Sequence, residues 1–147
     1  MGDCQLVLRF FAFRDDAHVR GSVRAILDGA MERNRALSDV QLDLLDQQFS
    51  AALDAAVEIF GDEVFTLPPD EQGIRRVSAS LYDATMVALD RRRDKFEQFV
   101  ANRDALRARI DQLSTGESGL MTGRANTAAS IKERVQAVID VMDEIAP

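Results

Sequence analysis

Proline is the feature that most constrains this chain, because it occurs at only three positions. Pro68 and Pro69 are adjacent, and the third, Pro147, is the last residue. A proline inside a helix removes a backbone hydrogen bond and clashes with the preceding turn, so the long proline-free stretches on both sides of Pro68 favour helices. The 147 residues correspond to about one domain. We therefore expect a single helical domain over residues 1–147.

Apolar side chains recur at helical spacing along most of the chain. The stripe Leu42–Phe60 predicts a long third helix, and Ser130 with Glu133 fits a capping box for a last helix that begins there or near Thr127. Further helices are expected from about residues 3, 22 and 78 onward, with a bend near Asn102. A short strand at 63–67 would have no second strand to pair with. The predicted fold is all-α, with five to six helices packed as an irregular bundle and no significant sheet.

The first predicted helix is apolar around most of its circumference. One monomeric core covers only about half of such a helix, which leaves an apolar face exposed as an interaction site. Val7, Leu8 and Phe11 lie off the main stripe and are expected at the contact. We expect the face to be covered by a partner protein or by a second copy in a two-fold dimer. The candidate interface residues are Val7, Leu8, Phe10, Phe11 and Phe13.

The charge balance argues against a general nucleic-acid-binding protein. The chain has 18 basic and 25 acidic residues and a net charge of −7, whereas nucleic-acid-binding domains are usually basic. The densest basic cluster is interleaved with Asp90, Asp94 and Glu97, which can neutralise it at helical spacing. Phosphate contact through this cluster remains an alternative hypothesis. The cluster consists of Arg91, Arg92, Arg93 and Lys95.

Side chains suited to catalysis or metal binding are few. One cysteine excludes an internal disulfide, and one cysteine with one histidine excludes a closed zinc site. His18 lies beside Asp15 in a polar turn, and Cys4 lies in the first turn of the first helix. Neither has a neighbour in sequence that would complete a catalytic set. We expect no catalytic, cofactor-binding or metal-binding residues and no cofactor.

Two further patterns favour structural interpretations over chemical ones. The one-turn carboxylate pairs Asp43–Asp46 and Asp54–Glu58 fit the solvated face of the third helix. The glycine-containing loop 115–124 lacks the Gly-Lys-Ser/Thr element of a phosphate-binding loop. No apolar run reaches about 18 residues and the N-terminus lacks a signal-peptide pattern, so we expect a cytoplasmic protein with no membrane span.

Four segments in order along the chain carry a family resemblance. They are 6–15 (LVLRFFAFRD), 49–65, 77–84 (VSASLYDA) and 122–135. They resemble, in turn, the entry, the long helix with its phenylalanine loop, the next helix start and the closing helix of one helical region. That region belongs to the GmrSD-type restriction and anti-phage proteins, the family built on domain of unknown function 262.

The resemblance implies an interaction role more than a catalytic one. Members of that family carry an N-terminal ParB/sulfiredoxin-like domain with an Asp-Gly-Gln-Gln-Arg type motif linked to nucleotide use, and some add an HNH nuclease segment. This sequence contains neither motif. We expect a non-catalytic module, a fragment of or companion to a longer defence protein, that docks on a ParB-like domain or partner protein and forms homo-oligomers. The alternatives are a helical domain contacting nucleic acid and a small stand-alone enzyme.

Overall fold

The computed structural model describes residues 2–116 and 119–147 and confirms the all-α prediction. Seven α-helices, one or two more than predicted, and three single 3₁₀ turns form the described part, which contains no β-strand. The helices are α1 (Asp3–Phe13), α2 (Val23–Arg33), α3 (Asp39–Phe60), α4 (Ala79–Arg91), α5 (Phe96–Ala101), α6 (Arg103–Thr115) and α7 (Ala128–Ile145).

Side-chain capping marks the starts of four helices, α2, α3, α4 and α7. Ser38 and Gln41 form a complete capping box at α3, in which the Ser38 Oγ accepts a hydrogen bond from the Gln41 backbone N–H at 3.3 Å. At α7 the capping box joins Thr127 to Ser130. The predicted pairing of Ser130 with Glu133 is therefore wrong, because Ser130 is the third helical residue and its Oγ turns back to the backbone N–H of Thr127 at 2.8 Å.

The higher helix count comes from two breaks in the segment after α4. A 3₁₀ turn, Arg93–Lys95, separates α4 from α5. Asn102 separates α5 from α6 and donates its side-chain amide to the carbonyl oxygen of Gln98 at 2.9 Å, which confirms the predicted bend. Side-chain bonds to nearby backbone carbonyls compete with the helical pattern and favour such helix ends.

Helix α4 lies at the centre of the molecule. Every residue from Ser80 to Asp90 is buried, and α4 packs most extensively against α7, with further contacts to α3 and α1. A helix that is buried on all sides must satisfy its polar groups within the protein. The charged contacts of α4 are therefore central to the fold.

The loop between α3 and α4 packs back onto the core. Phe65 adopts a positive φ of 59° and sets its ring edge-on to Tyr82, with ring centres 4.9 Å apart. Thr66 forms an isolated antiparallel bridge with Val77, so the 63–67 segment does find a pairing partner, although no strand develops. The loop enters α4 at Ser78, whose backbone N–H donates to the carbonyl of Phe65 at 2.9 Å.

Candidate functional site

Helix α1 divides the predicted interface residues into two groups. Phe10 and Phe13 are fully buried in the core, so their assignment to an interface is wrong. They occupy the stripe of α1 that packs into this domain, where Phe10 also meets the ring of Phe49 at 5.3 Å. The other three, Val7, Leu8 and Phe11, are only partly buried and face a groove.

The groove has a volume of about 560 Å³ and opens to solvent between α1, α2 and α3. Its two long walls have the same spacing, i, i+3, i+4, i+7, on α1 and on α3. The segment from α2 to α3 closes one side. The lining is Cys4, Val7, Leu8 and Phe11 from α1, Ala30, Met31, Asn34 and Leu37 from α2 and the loop after it, and Leu42, Leu45, Asp46 and Phe49 from α3.

Apolar side chains at the groove are unusually exposed. Met31 is 59% exposed and Leu42 is 49% exposed. Beneath them, Phe11 and Phe49 lie with ring centres 6.3 Å apart, and the guanidinium carbon of Arg14 lies over the Phe11 ring, 5.6 Å from its centre. The floor is therefore anchored in the core, while the upper walls present apolar surface to solvent.

The α3 wall carries only negative charge. Residues 39–60 contain five carboxylates and no Lys, Arg or His. Asp39, Asp43 and Asp46 follow one edge of the groove stripe at spacing i, i+4, i+7, and all three are exposed. In the part of the chain that the structure describes, none of the five carboxylates forms an ion pair within 4 Å. Among the described residues that line the groove, Asp46 alone is charged.

The basic cluster of residues 91–95 has the opposite character, because each cation contacts an internal acceptor. The ion pairs are Arg91 with Asp16 at 2.9 Å, Arg92 with Asp143 at 2.8 Å and Arg93 with Asp90 at 2.8 Å, and Lys95 donates to the carbonyl of Ala146 at 2.7 Å. A nucleic-acid phosphate would have to compete with these acceptors. Phosphate binding by the cluster stays a prediction.

A buried charged network was not predicted from the sequence. Arg9 of α1 makes a two-bond contact with Asp83 of α4, of which the Nε–Oδ1 bond measures 2.9 Å. Arg134 of α7, only 2% exposed, donates to the Ser80 Oγ at 2.7 Å. Burial raises the pKa of Asp83, while the hydrogen bonds and charge of Arg9 and the charge of Arg134 act in the lowering direction. The sequence signal that could have indicated the contact is one charged residue within an apolar segment of each helix, Arg9 in α1 and Asp83 in α4.

A pocket of about 360 Å³ adjoins this network at the start of α4, and Arg9, Arg76, Ser78 and Ser80 contribute its charged and hydroxyl groups. The Ser78 Oγ already donates to the carbonyl of Met121 at 2.8 Å. Within residues 2–116 and 119–147, no buried side-chain nitrogen or oxygen lacks a hydrogen-bond partner. The network thus completes its own hydrogen bonding, which is the pattern of a structural element.

The other residues considered for chemistry, His18, Cys4 and the glycine loop, do not form a common site in the described structure. His18 is exposed and pairs through Nδ1 with Asp15 at 3.0 Å, and Cys4 is a free, exposed thiol at the groove. Of the glycine loop 115–124, residues 117 and 118 lie outside the described residues. The described residues hold no cluster of three or more potential metal ligands.

None of the described helices combines the length and apolar character needed to cross a lipid bilayer. Comparison with protein-family models, curated proteins and solved structures gives no match to this chain. The groove between α1, α2 and α3 is the structural feature from which a function can be inferred.

Proposed function

We propose that this chain is a non-catalytic helical module that binds a partner protein through the groove between α1, α2 and α3. The observation that carries the proposal is the apolar lining, which leaves Met31 and Leu42 about half exposed. Contiguous apolar surface bordered by polar residues is typical of protein interaction sites. A groove between helices is also a common receptor for an amphipathic helix.

The composition of the lining favours binding over chemistry. One thiol, Cys4, and one carboxylate, Asp46, stand among mainly apolar side chains. Acid–base or nucleophilic catalysis needs a nucleophile and a base that lie within hydrogen-bonding reach of each other. Burial of a partner's apolar side chains needs only complementary shape and exclusion of water.

The cellular setting of the proposal comes from the sequence resemblance alone. If the chain is the helical region of a GmrSD-type defence protein in the cytoplasm, the partner is the ParB-like domain or a companion chain. In a longer protein the same groove would be an internal docking surface between domains. In a separately encoded protein it would hold two chains together.

Site-specific photocrosslinking in the native host tests the proposal. Leu42 lines the groove and Leu44 does not, although both are leucines of α3 with similar exposure, 49% and 52%. A photoreactive phenylalanine analogue is placed at one position or the other. We expect a discrete crosslinked protein from position 42 and none from position 44. Equal crosslinking from both positions, or none from position 42, would overturn the proposal.

A further inference from the structure

We propose that the occupant of the groove is a basic amphipathic helix of a partner protein. This helix would place apolar side chains at i, i+3 or i+4, and i+7 in the groove and Lys or Arg residues opposite Asp39, Asp43 and Asp46. The inference rests on the proposed function, because it specifies the chemistry of the partner that the groove would bind.

The length of the groove sets the size of the occupant. The α1 wall runs from Cys4 to Phe11 and the α3 wall from Leu42 to Phe49, each spanning seven residue steps. At 1.5 Å rise per residue this is about 10 Å, or two helical turns. Two turns of a partner helix present two or three large apolar side chains on one face. A helix bound there would pack between α1 and α3 as an additional member of the bundle.

The charge at the groove sets the composition of the occupant's flanks. The Asp39, Asp43 and Asp46 line also spans two turns; it begins about one turn before the apolar wall of α3, which runs from Leu42 to Phe49, and overlaps its first turn. Arg35, in the loop after α2, pairs with Glu32 at 3.8 Å, and Arg33, at the end of α2, lies in a neighbouring pocket with Phe11 and Asn34. Cations on the partner would therefore meet carboxylates that form no ion pair within the described part of the chain. Such complementarity selects the partner and its orientation.

The same charges disfavour a second copy as the occupant. A two-fold dimer through the groove would bring the Asp39, Asp43 and Asp46 line of one chain towards the equivalent line of the other. Residues 39–60 supply no cation to separate them. Like charges placed together across an interface suppress that pairing. Charge therefore favours a partner of different sequence over the self-association expected from α1 alone.

Binding of designed helical peptides tests the inference. The first peptide carries leucines at i, i+4 and i+7 with flanking lysines, the second has glutamates in place of the lysines, and the third keeps the lysines but replaces the leucines by serines. Binding is measured by calorimetry and by protection of the Cys4 thiol from a thiol reagent, since Cys4 is the only cysteine and lines the groove. We expect the first peptide to bind and to protect Cys4, and the other two to bind more weakly.

Charge variants of the protein give a matched control. Asp43→Asn/Asp46→Asn removes two charges beside the groove, and Asp54→Asn/Glu58→Gln removes two exposed charges from the same helix outside the groove lining. We expect the first pair to weaken binding of the lysine–leucine peptide by about tenfold at low salt and the second pair to weaken it about twofold or less.

Each alternative outcome has a separate meaning. Equal losses from the two variant pairs would overturn the assignment of the lysine flank to the groove. Equal affinity for the lysine and glutamate peptides would overturn the basic character of the partner and leave the apolar groove as proposed. Failure of every peptide to protect Cys4 would overturn the helical occupant, while crosslinking at position 42 decides the proposed function independently.

Concentration-dependent dimerisation that Leu42→Ser abolishes and Leu44→Ser preserves would assign the groove to a second copy.

Discussion

Helices α3 and α4 carry carboxylates in opposite environments. Asp83 and Asp90 of α4 are buried, and each accepts hydrogen bonds from at least one arginine contributed by another helix or turn. The five carboxylates of α3 are paired with no basic side chain in the described structure, and Asp39, Asp43 and Asp46 are exposed beside the groove. The charges of α4 therefore belong to the fold, whereas those of α3 are left available for contacts outside it.

The largest expected effect comes from breaking the Arg9–Asp83 contact. Arg9→Met leaves the Asp83 carboxylate buried without its bidentate partner, and we expect a loss of about 3–5 kcal/mol in the free energy of unfolding. Urea denaturation measures it. Arg24→Met is the control, since Arg24 is 91% exposed in its contact with Asp28, and should cost less than about 1 kcal/mol. Equal losses from the two variants would show that the buried contact does not hold α1 to α4.

A smaller effect is expected where the glycine loop touches the start of α4. Gly123 has a φ of +75°, and a Cβ there would lie 2.9 Å from the Ser80 Oγ that accepts from Arg134. Gly73 has nearly the same φ, +77°, with no atom within 4 Å of its Cβ position. We expect Gly73→Ala to cost about 1 kcal/mol and Gly123→Ala about 1–2 kcal/mol more. Equal unfolding free energies for the two variants would show that Ser80 and Arg134 shift without cost.

The ion pair between Arg92 and Asp143 should make a small, pH-dependent contribution. The hydrogen bond from Arg92 holds the pKa of Asp143 below its usual range. The stabilisation is thus present above the ordinary aspartate pKa and is lost as the pH falls through the lowered value. We expect Asp143→Asn to cost less than about 1 kcal/mol at neutral pH, because the pair is partly exposed, and we expect the difference from wild type to disappear once the pH is low enough to protonate Asp143 in the folded protein.

Asp140→Asn on the same helix provides the control for this pH effect. Asp140 is exposed and accepts a hydrogen bond from the uncharged amide of Gln136 at 2.7 Å. Across the acid range, the difference in unfolding free energy from wild type should change with pH for Asp143→Asn and stay nearly constant for Asp140→Asn. A constant stability difference between wild type and Asp143→Asn at all pH values would contradict the assignment to this ion pair.

The smallest effect on stability should come from the charges of α3. Asp43→Asn/Asp46→Asn removes no contact within the fold, so we expect a change within about 0.5 kcal/mol in the free energy of unfolding. Thermal denaturation at low and moderate salt measures it. A loss above about 2 kcal/mol would show that these carboxylates have internal partners, and the contrast between α3 and α4 would fail.

The sequence predicts local periodicity better than long-range pairing. The stripe of α3 and the partly exposed positions Val7, Leu8 and Phe11 follow from helical spacing, and the structure places all three α1 residues at the groove. The contact of Arg9 with Asp83 joins residues 74 positions apart. No local pattern encodes a partner at that separation, so the all-round burial of α4 was not predictable from its own composition.

The same limit explains the errors at Phe10, Phe13 and the groove walls. Helical spacing shows that α1 has too many apolar residues for one stripe, but it does not show which neighbouring helix covers each of them. Phe49 of α3 meets Phe10 at 5.3 Å, and this contact between distant segments commits Phe10 to the core. The α2 and α3 walls of the groove were missed because their positions depend on the packing of three helices.

The capping box at the start of α3 affects the entropy of binding. Ser38 and Gln41 satisfy backbone groups at the N-terminal end of α3. The first turns of this helix are mostly exposed, so few core contacts hold them in place. A capped end keeps residues 39–49 helical before any partner arrives. One wall of the groove is therefore preorganised, and a partner helix would lose mainly its own conformational freedom on binding. Of the two surfaces that would meet, the acidic one would need the smaller change of conformation.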